Sequence, residues 1–251
     1  MHHYRLHRDP RSSHQQIIAR VLRLRRQPVL DVGAAQGILG RLAEGSGLAI
    51  DAVEPHSVWA EHARPFYRQV FNTKIEDAPL PDQTYEVVLC GDVLEHTVDP
   101  VAVLRRLLRA ATEDATFIIS VPNVAHVAVR LMLLFGRFPR MEKGILDRTH
   151  LHFFTRDTAE AMLRDAGLRA TEASVTGVPL GEVWREAEAE RRLWFRAARR
   201  LQYAMLTLFP RLFGYQWIFV ARPAAAFEGA AAVPPAASRD AAVRTVATAL
   251  A

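Results

Sequence analysis

The order of apolar segments predicts an α/β fold: a doubly wound, mostly parallel sheet with helices on both faces. Three observations carry this. Buried-strand runs stand at Val29–Val32, 48–53, 87–90 and 116–121. Segments with helical periodicity at 38–44, 57–67 and 101–110 lie between them. Three of the strands end in an acidic or glycine-bearing turn. Such alternation favours parallel neighbours joined by helical crossovers.

The chain has 251 residues, which fits one α/β domain plus a tail. Half of the residues are hydrophobic and 24% are charged, so a sizeable core can be buried. Cys90 is the one cysteine. That excludes an intrachain disulfide framework and a thiolate zinc cluster, and it suits a reducing cytoplasm. No secretory leader is read at the start of the chain. The longest apolar stretch, 124–138, is interrupted by His126, Arg130, Gly136 and Arg137, so no spanning helix is expected. The net charge of +5 has three readings: arginine-rich composition alone, a phosphate-bearing substrate, or an anionic membrane surface. No recognised nucleic-acid-binding motif is present, and a nucleic-acid partner is not expected.

Residues 12–26 read as a helix with Ile17, Ile18, Val21 and Leu22 at helical spacing, stopped by Pro28. Asp99-Pro100 is a helix start, with aspartate as N-cap and proline at the first helical position. A capped helix at 155–166 ends at Gly167, followed by strands near 169–175 and 215–221. An insertion at 179–213 carries an amphipathic helix at about 183–208, with Trp194, Ala198, Leu201, Met205 and Leu208 in one stripe. It reads either as a lid over the substrate mouth or, through 184–208, as a peripheral contact with anionic lipid. The organisation expected is a helical segment at 1–28, a main domain at 29–223 and an Ala/Pro-rich tail at 224–251. The tail reads as poorly ordered, with a weak helix at 239–250.

Chemistry concentrates at three strand ends. Val29–Val32 runs through Asp31 into Gly33-Ala34-Ala35-Gln36-Gly37. Glycine permits the tight turn and lets a ligand approach the backbone, and alanine at 35 fits if that residue keeps a negative φ. The spacing departs from the dinucleotide pattern Gly-x-Gly-x-x-Gly. The second strand ends in Glu54-Pro55, and an acid there can accept both ribose hydroxyls of an adenosine. The third runs through Cys90 and Gly91 into Asp92-Val93-Leu94-Glu95-His96. Alternatives stay open: Asp31 could cap its turn, Glu54 could be a solvated strand-end acid, and Cys90 reads as a small buried residue.

These segments together resemble the class I S-adenosylmethionine-dependent methyltransferases. The resemblance spans about 29–223, and it is nearest to the small-molecule branch of quinone-biosynthesis and glycan-assembly-associated enzymes. It implies a Rossmann-like sheet of seven strands with an antiparallel last strand. It implies S-adenosylmethionine as cofactor: Asp31, Gly33, Ala35 and Gly37 along its methionine part, Glu54 on the ribose, and Pro55 and His56 flanking the adenine. Ile75 near Glu76 and Asp77 would sit beside the adenine, and the backbone at Cys90-Gly91, before Asp92, would face the amino group. Lys74 stands where many relatives carry an aspartate.

On the acceptor side, the segment Gly144-Ile145-Leu146-Asp147-Arg148-Thr149-His150-Leu151-His152-Phe153-Phe154-Thr155 resembles the glycan-associated branch, with His152 where arginine is expected. Methyl transfer to an alcohol aligns donor and acceptor and removes the hydroxyl proton. The candidate bases are His150 first, then His126 and His96, with Asp147 orienting a histidine or binding a sugar hydroxyl. Each histidine could equally be packed or capping, and Asp147 could cap its turn. No metal is assigned, because no pair has helical His-x-x-x-His spacing. The expected function is O-methylation of a small molecule, with a sugar hydroxyl of a glycan precursor as the leading acceptor. A quinone-like or phenolic acceptor is the alternative, and a cofactor-binding partner protein without turnover is the rival from another class.

Overall fold

The computed structural model describes residues 12–179 and 193–228. The expected strands are present: β1 (Val29–Val32), β2 (Ile50–Val53), β4 (Tyr85–Gly91), β5 (Ala111–Pro122), β6 (Leu168–Val175) and β7 (Gln216–Pro223). A further strand, β3 (Gln69–Phe71), is added at one edge. The sheet has seven strands in the order β3-β2-β1-β4-β5-β7-β6. β1 to β5 run parallel, and β7 is antiparallel to both β5 and β6. The strand order reverses between β1 and β4, and the carboxyl ends of strands at such a switch point form the ligand crevice. Because β7 runs backwards, its first residue, Gln216, pairs with Pro122 at that same edge.

Helices cover both faces. α1 (Ser13–Leu24) is capped by the Ser12 side chain and packs Ile17, Ile18 and Val21 among Val29, Val87, Leu89 and Ile118. α2 (Ile38–Leu42) and α3 (Ser57–Ala63) lie on the same side, where Ala43, Ala60 and Ala63 join that cluster. α3 ends earlier than its periodicity suggests, because Pro65 tightens the chain into a 3₁₀ turn at Arg64–Phe66. On the other face, α4 (Pro100–Ala110) packs Val103, Leu104 and Leu107 in one cluster with Ala159, Met162 and Leu163 of α6 (Arg156–Asp165). The expected caps form: the Asp99 carboxylate accepts from Ala102 N at 2.9 Å, and Thr155 makes a reciprocal capping box with Thr158.

Between β5 and α6 lies α5 (Val127–Leu134), then the loop that carries Asp147 and His150. From the insertion, α7 (Leu193–Leu208) is described; 180–192, including the first part of the predicted helix, lies outside the described residues. On the predicted apolar stripe Leu201 and Leu208 are more than 60% exposed, and Met205 is half-buried. The packed face is its neighbour on the wheel, where Leu206 is buried and Gln202 Nε2 donates to Val178 O at 3.0 Å. The short helices α8 (Pro210–Phe213) and α9 (Ala225–Glu228) flank β7. The predicted weak helix at 239–250 also lies outside the described residues. No helix among the described residues is long and apolar enough to cross a membrane.

Candidate active site

The turn after β1 is held from two sides. Gly33 N and Ala34 N both donate to Val53 O, so the turn rides on the end of β2. Gly33 has φ +72, and a Cβ there would lie 2.5 Å from Val93 in the turn after β4. Gly37 has φ +79, and a Cβ there would come within 2.9 Å of the Ala63 backbone. Both positions therefore require glycine. Ala35 does not keep the negative φ expected of it: its φ is +47. A left-handed alanine costs roughly 1–2 kcal/mol. Its amide is turned onto Glu54 Oε2 at 2.8 Å, which offsets part of that cost.

Glu54 is 4% exposed, so the reading of a solvated strand-end acid does not hold. Its other oxygen accepts from His56 N at 2.8 Å. Burial raises its pKa, and the His56 and Ala35 amides act against that. The acid stands at the second strand end, as expected, with its charge held by two backbone donors. Asn72, which sequence reasoning missed, donates from its side chain to Glu54 O and Pro55 O and fixes the strand end next to them. Ile75 is buried in the core cluster that contains Val53, whereas Glu76 is exposed. The structure therefore does not draw Glu76 in with the others.

Asp31 is 1% exposed and does not cap its turn. It accepts from the Tyr67 hydroxyl at 2.5 Å, and that hydroxyl accepts from Gly40 N at 3.0 Å. Burial pushes the Asp31 carboxyl up to about 7, although the Tyr67 bond acts to lower it. Tyr67 was not legible as a partner, because only the packing of the segment after α3 brings it beneath β1. Cys90 is fully buried, and burial pushes its thiol up, as suits a packed residue rather than a nucleophile. Asp92 follows with φ +56. Its carboxylate accepts from Ser120 Oγ at 2.8 Å and Gln216 Nε2 at 2.5 Å, which ties β4 to β5 and β7. Burial raises its pKa, and those two bonds oppose the rise.

A second group of side chains gathers beside this turn. Leu94–His96 form a 3₁₀ turn that points Glu95 inward, leaving it 1% exposed. Glu95 O accepts from Leu151 N at 2.7 Å and His152 N at 3.1 Å, so the loop after α5 is stitched to this turn. The stitching brings His150 against His96, with ring centroids 4.8 Å apart in an edge-on arrangement. Donor atoms of Glu95, His96 and His150 all lie within 4.8 Å of one another, a set that can hold a cation. Sequence reasoning missed Glu95; the signal available was its place between Asp92 and His96.

The other candidates separate. His150 is buried, and burial, then His96, lower its pKa. Its Nδ1 lies 3.1 Å from Ile145 O. Asp147 caps its own turn, accepting from Thr149 N at 2.8 Å and Thr149 Oγ1 at 2.7 Å. Burial acts to raise the Asp147 pKa, but the Thr149 bonds hold it below the usual value. Asp147 reaches His96 through that threonine, whose Oγ1 lies 3.2 Å from His96 Nδ1. His126 is the N-cap of α5: its Nδ1 accepts from Ala128 N at 3.2 Å, and its ring stands edge-on to Tyr215 rather than with the other histidines. His152 turns away from His150, with Nε2 3.2 Å from Val98 O.

Comparison with known proteins bears on the family and the fold. Residues 2–173 match the family described as a methyltransferase domain. A ubiquinone biosynthesis O-methyltransferase of Aeromonas salmonicida (strain A449) is 28% identical over 156 residues, covering 58% of this chain and 64% of that protein. The match therefore spans less than two thirds of the relative. Among solved structures, a SAM-dependent methyltransferase from Archaeoglobus fulgidus superposes with a TM-score of 0.55 at 18% identity, over 84% of this chain and 95% of that one. The magnesium protoporphyrin IX methyltransferase of Synechocystis PCC 6803, solved with bound SAH, gives 0.53 at 16% identity, over 83% and 82%. At such identities the superpositions speak for the fold. Together with the family match over most of the chain, they show that this chain belongs to the class I S-adenosylmethionine-dependent methyltransferases.

Proposed function

We propose that this protein transfers the methyl group of S-adenosylmethionine to a hydroxyl of a small molecule. The observation that carries the reading is the juxtaposition of two sites at one sheet edge. The Gly33–Gly37 turn braced by Glu54 would take the cofactor, and Glu95, His96 and His150 stand next to the Asp92 turn. Transfer breaks the S–CH₃ bond and forms an O–CH₃ bond, so the acceptor oxygen must shed its proton. A cluster of one carboxylate and two imidazoles is suited to that task, whereas transfer to a basic amine would not need it.

The acceptor reading has two branches. The resemblance of the 144–155 segment to glycan-associated enzymes supports a sugar hydroxyl. The likeness to the Aeromonas ubiquinone biosynthesis O-methyltransferase supports a quinone-like or phenolic one. Incubation with methyl-labelled S-adenosylmethionine and panels of sugar, glycolipid-headgroup and catechol acceptors, beside amine and carbon-nucleophile acceptors, tests both. Label appearing only in nitrogen or carbon acceptors would overturn the O-transfer reading. The outward stripe of α7, with Arg199 and Arg200 beside Leu201, also supports a peripheral contact with anionic membranes, as does the exposed end of α5. There Leu131, Leu134 and Phe135 are exposed, with Arg130 and Arg137 close by in sequence.

A further inference from the structure

Among the described residues, Glu95 is a buried acid whose carboxylate has no partner. It is 1% exposed, and neither carboxylate oxygen meets a hydrogen-bond partner. The charges that act on it are those of Asp92 and Asp147, both negative; only the dipole of its own backbone amide favours ionisation. An unpaired buried carboxylate costs several kcal/mol, roughly. Folds retain such groups where they have work to do.

The two imidazoles opposite are oriented in a matching way. His150 Nδ1 lies 3.1 Å from Ile145 O, an acceptor, so Nδ1 carries the proton and Nε2 keeps its lone pair. His96 Nδ1 faces Thr149 O at 3.3 Å and Thr149 Oγ1 at 3.2 Å. The Thr149 hydroxyl spends its own proton on Asp147 Oδ1, so it accepts from His96, and Nε2 of His96 is again the free nitrogen. Outer groups that fix the tautomer of a ligating histidine through its other nitrogen are a hallmark of metal sites. One ring nitrogen from each imidazole and a carboxylate oxygen of Glu95 stand within 4.8 Å of one another. Donors bound to one ion at about 2.1 Å lie no more than about 4.2 Å apart, so a closing movement of under about 1 Å seats a cation.

We infer that Glu95, His96 and His150 form a binding site for a divalent first-row transition cation. Two imidazoles with one carboxylate favour Mn²⁺, Fe²⁺, Co²⁺ or Zn²⁺ over Mg²⁺, which prefers oxygen donors. Three protein ligands leave coordination positions open for an oxygen of a second molecule. Arg140 does not occupy the site: it donates to the backbone carbonyls of Arg148 and His150. The use of the site rests on the O-methyl-transfer reading. The bound cation would lower the pKa of a hydroxyl held on it, whose proton would pass to solvent on the exposed side of His96. The oxygen would take the methyl carbon as the S–CH₃ bond breaks, with S-adenosylhomocysteine leaving. In that role His150 is a ligand rather than the base.

The test is titration of the full chain with Mn²⁺, followed by calorimetry and by the loss of the free-ion electron paramagnetic resonance signal. Wild type is expected to take up one ion saturably. Glu95→Gln and His150→Ala are each expected to weaken uptake by more than about tenfold, and His152→Ala to leave it unchanged. Glu95→Gln removes a buried charge while keeping the shape, so it folds and remains informative. No saturable uptake, or uptake equal in wild type and Glu95→Gln, overturns the site. Methyl transfer is assayed in parallel with and without a chelator. Transfer to hydroxyls unaffected by chelation, with no Mn²⁺ uptake, sinks the cation site and leaves the O-transfer reading standing. Saturable uptake without transfer to any hydroxyl sinks the O-transfer reading and leaves the cation site standing.

Discussion

Glu54 Oε2 accepts the amide of Ala35 at 2.8 Å, so the acid at the end of β2 holds the glycine turn at the end of β1. Two segments that would each contact one part of the cofactor are thus one mechanical unit.

It follows that Glu54→Ala lowers cofactor affinity and stability together. Losing a charged acceptor for two partly buried amides costs on the order of 1.5–3 kcal/mol. Calorimetric titration with S-adenosylhomocysteine and a thermal melt on the same sample check this. Unchanged affinity in a folded variant removes Glu54 from the cofactor site.

Ala35→Gly tests the turn from the other direction. At φ +47, removing Cβ relieves about 1 kcal/mol of strain, partly offset by the greater entropy of glycine in the unfolded chain. Urea denaturation is expected to show a stability equal to or slightly above wild type. A loss of more than about 1 kcal/mol would mean that Ala35 contributes packing beyond its backbone bond.

Asp31 makes stability depend on pH. Its folded-state pKa is raised, by burial first, from 3.8 to about 7. The folded state therefore binds this proton more tightly than the unfolded chain does. Its contribution is fully present below pH 3.8 and is lost as the pH rises through 7. A rise of that size corresponds to roughly 4 kcal/mol. Asp31→Asn, which keeps an acceptor for Tyr67, should flatten the fall in melting temperature between those limits. A melting curve with the same pH slope as wild type would count against a raised Asp31.

Much of this site was legible because the signals are local. An apolar run ending in Asp31 and a glycine turn, or in Glu54, announces itself within a few residues. Asp99-Pro100 and Thr155 announced their helices by side-chain caps that form as expected. What was illegible depends on long-range packing. β3 is three residues long, and its pattern from Gln69 to Phe71 carries no clear alternation. The sign of φ at Ala35 is set with an amide bond to a residue 19 positions away. Glu95 looked like part of a polar turn, and only the 3₁₀ geometry of Leu94–His96 and the stitching of the 150–152 backbone bury it. The stripe on α7 follows from helical spacing, but periodicity alone does not say which face the protein uses.

Leu201 and Leu208 should report on the outward face of α7. If it rests on lipid, the full chain sediments with anionic vesicles at low salt and less so at high salt. Leu201→Glu with Leu208→Glu should abolish sedimentation without changing cofactor affinity. Absence of wild-type binding at low salt would leave α7 without a membrane role.

The histidines give the most direct test of the acceptor side, because the structure divides them. His126 caps α5 through Nδ1 and sets its ring edge-on to Tyr215, whereas His96 and His150 pair with each other. His150 stands with His96 beside Glu95, and its Nδ1 faces Ile145 O. His150→Ala should lower methyl transfer by about 10²–10⁴-fold, the range for losing assistance to proton removal, with S-adenosylhomocysteine affinity unchanged. His150→Asn separates the two ways the residue can act. Asparagine can hold a hydrogen bond but takes no proton and is a poor cation ligand, so recovery of most of the rate would reduce His150 to positioning the acceptor. His126→Asn should behave differently, since asparagine is a good N-cap. It should keep both melting temperature and turnover near wild type, while His126→Ala costs about 0.5–2 kcal/mol of stability. A rate collapse in His126→Asn together with a wild-type rate in His150→Ala would reverse the assignment and move the chemistry to the start of α5.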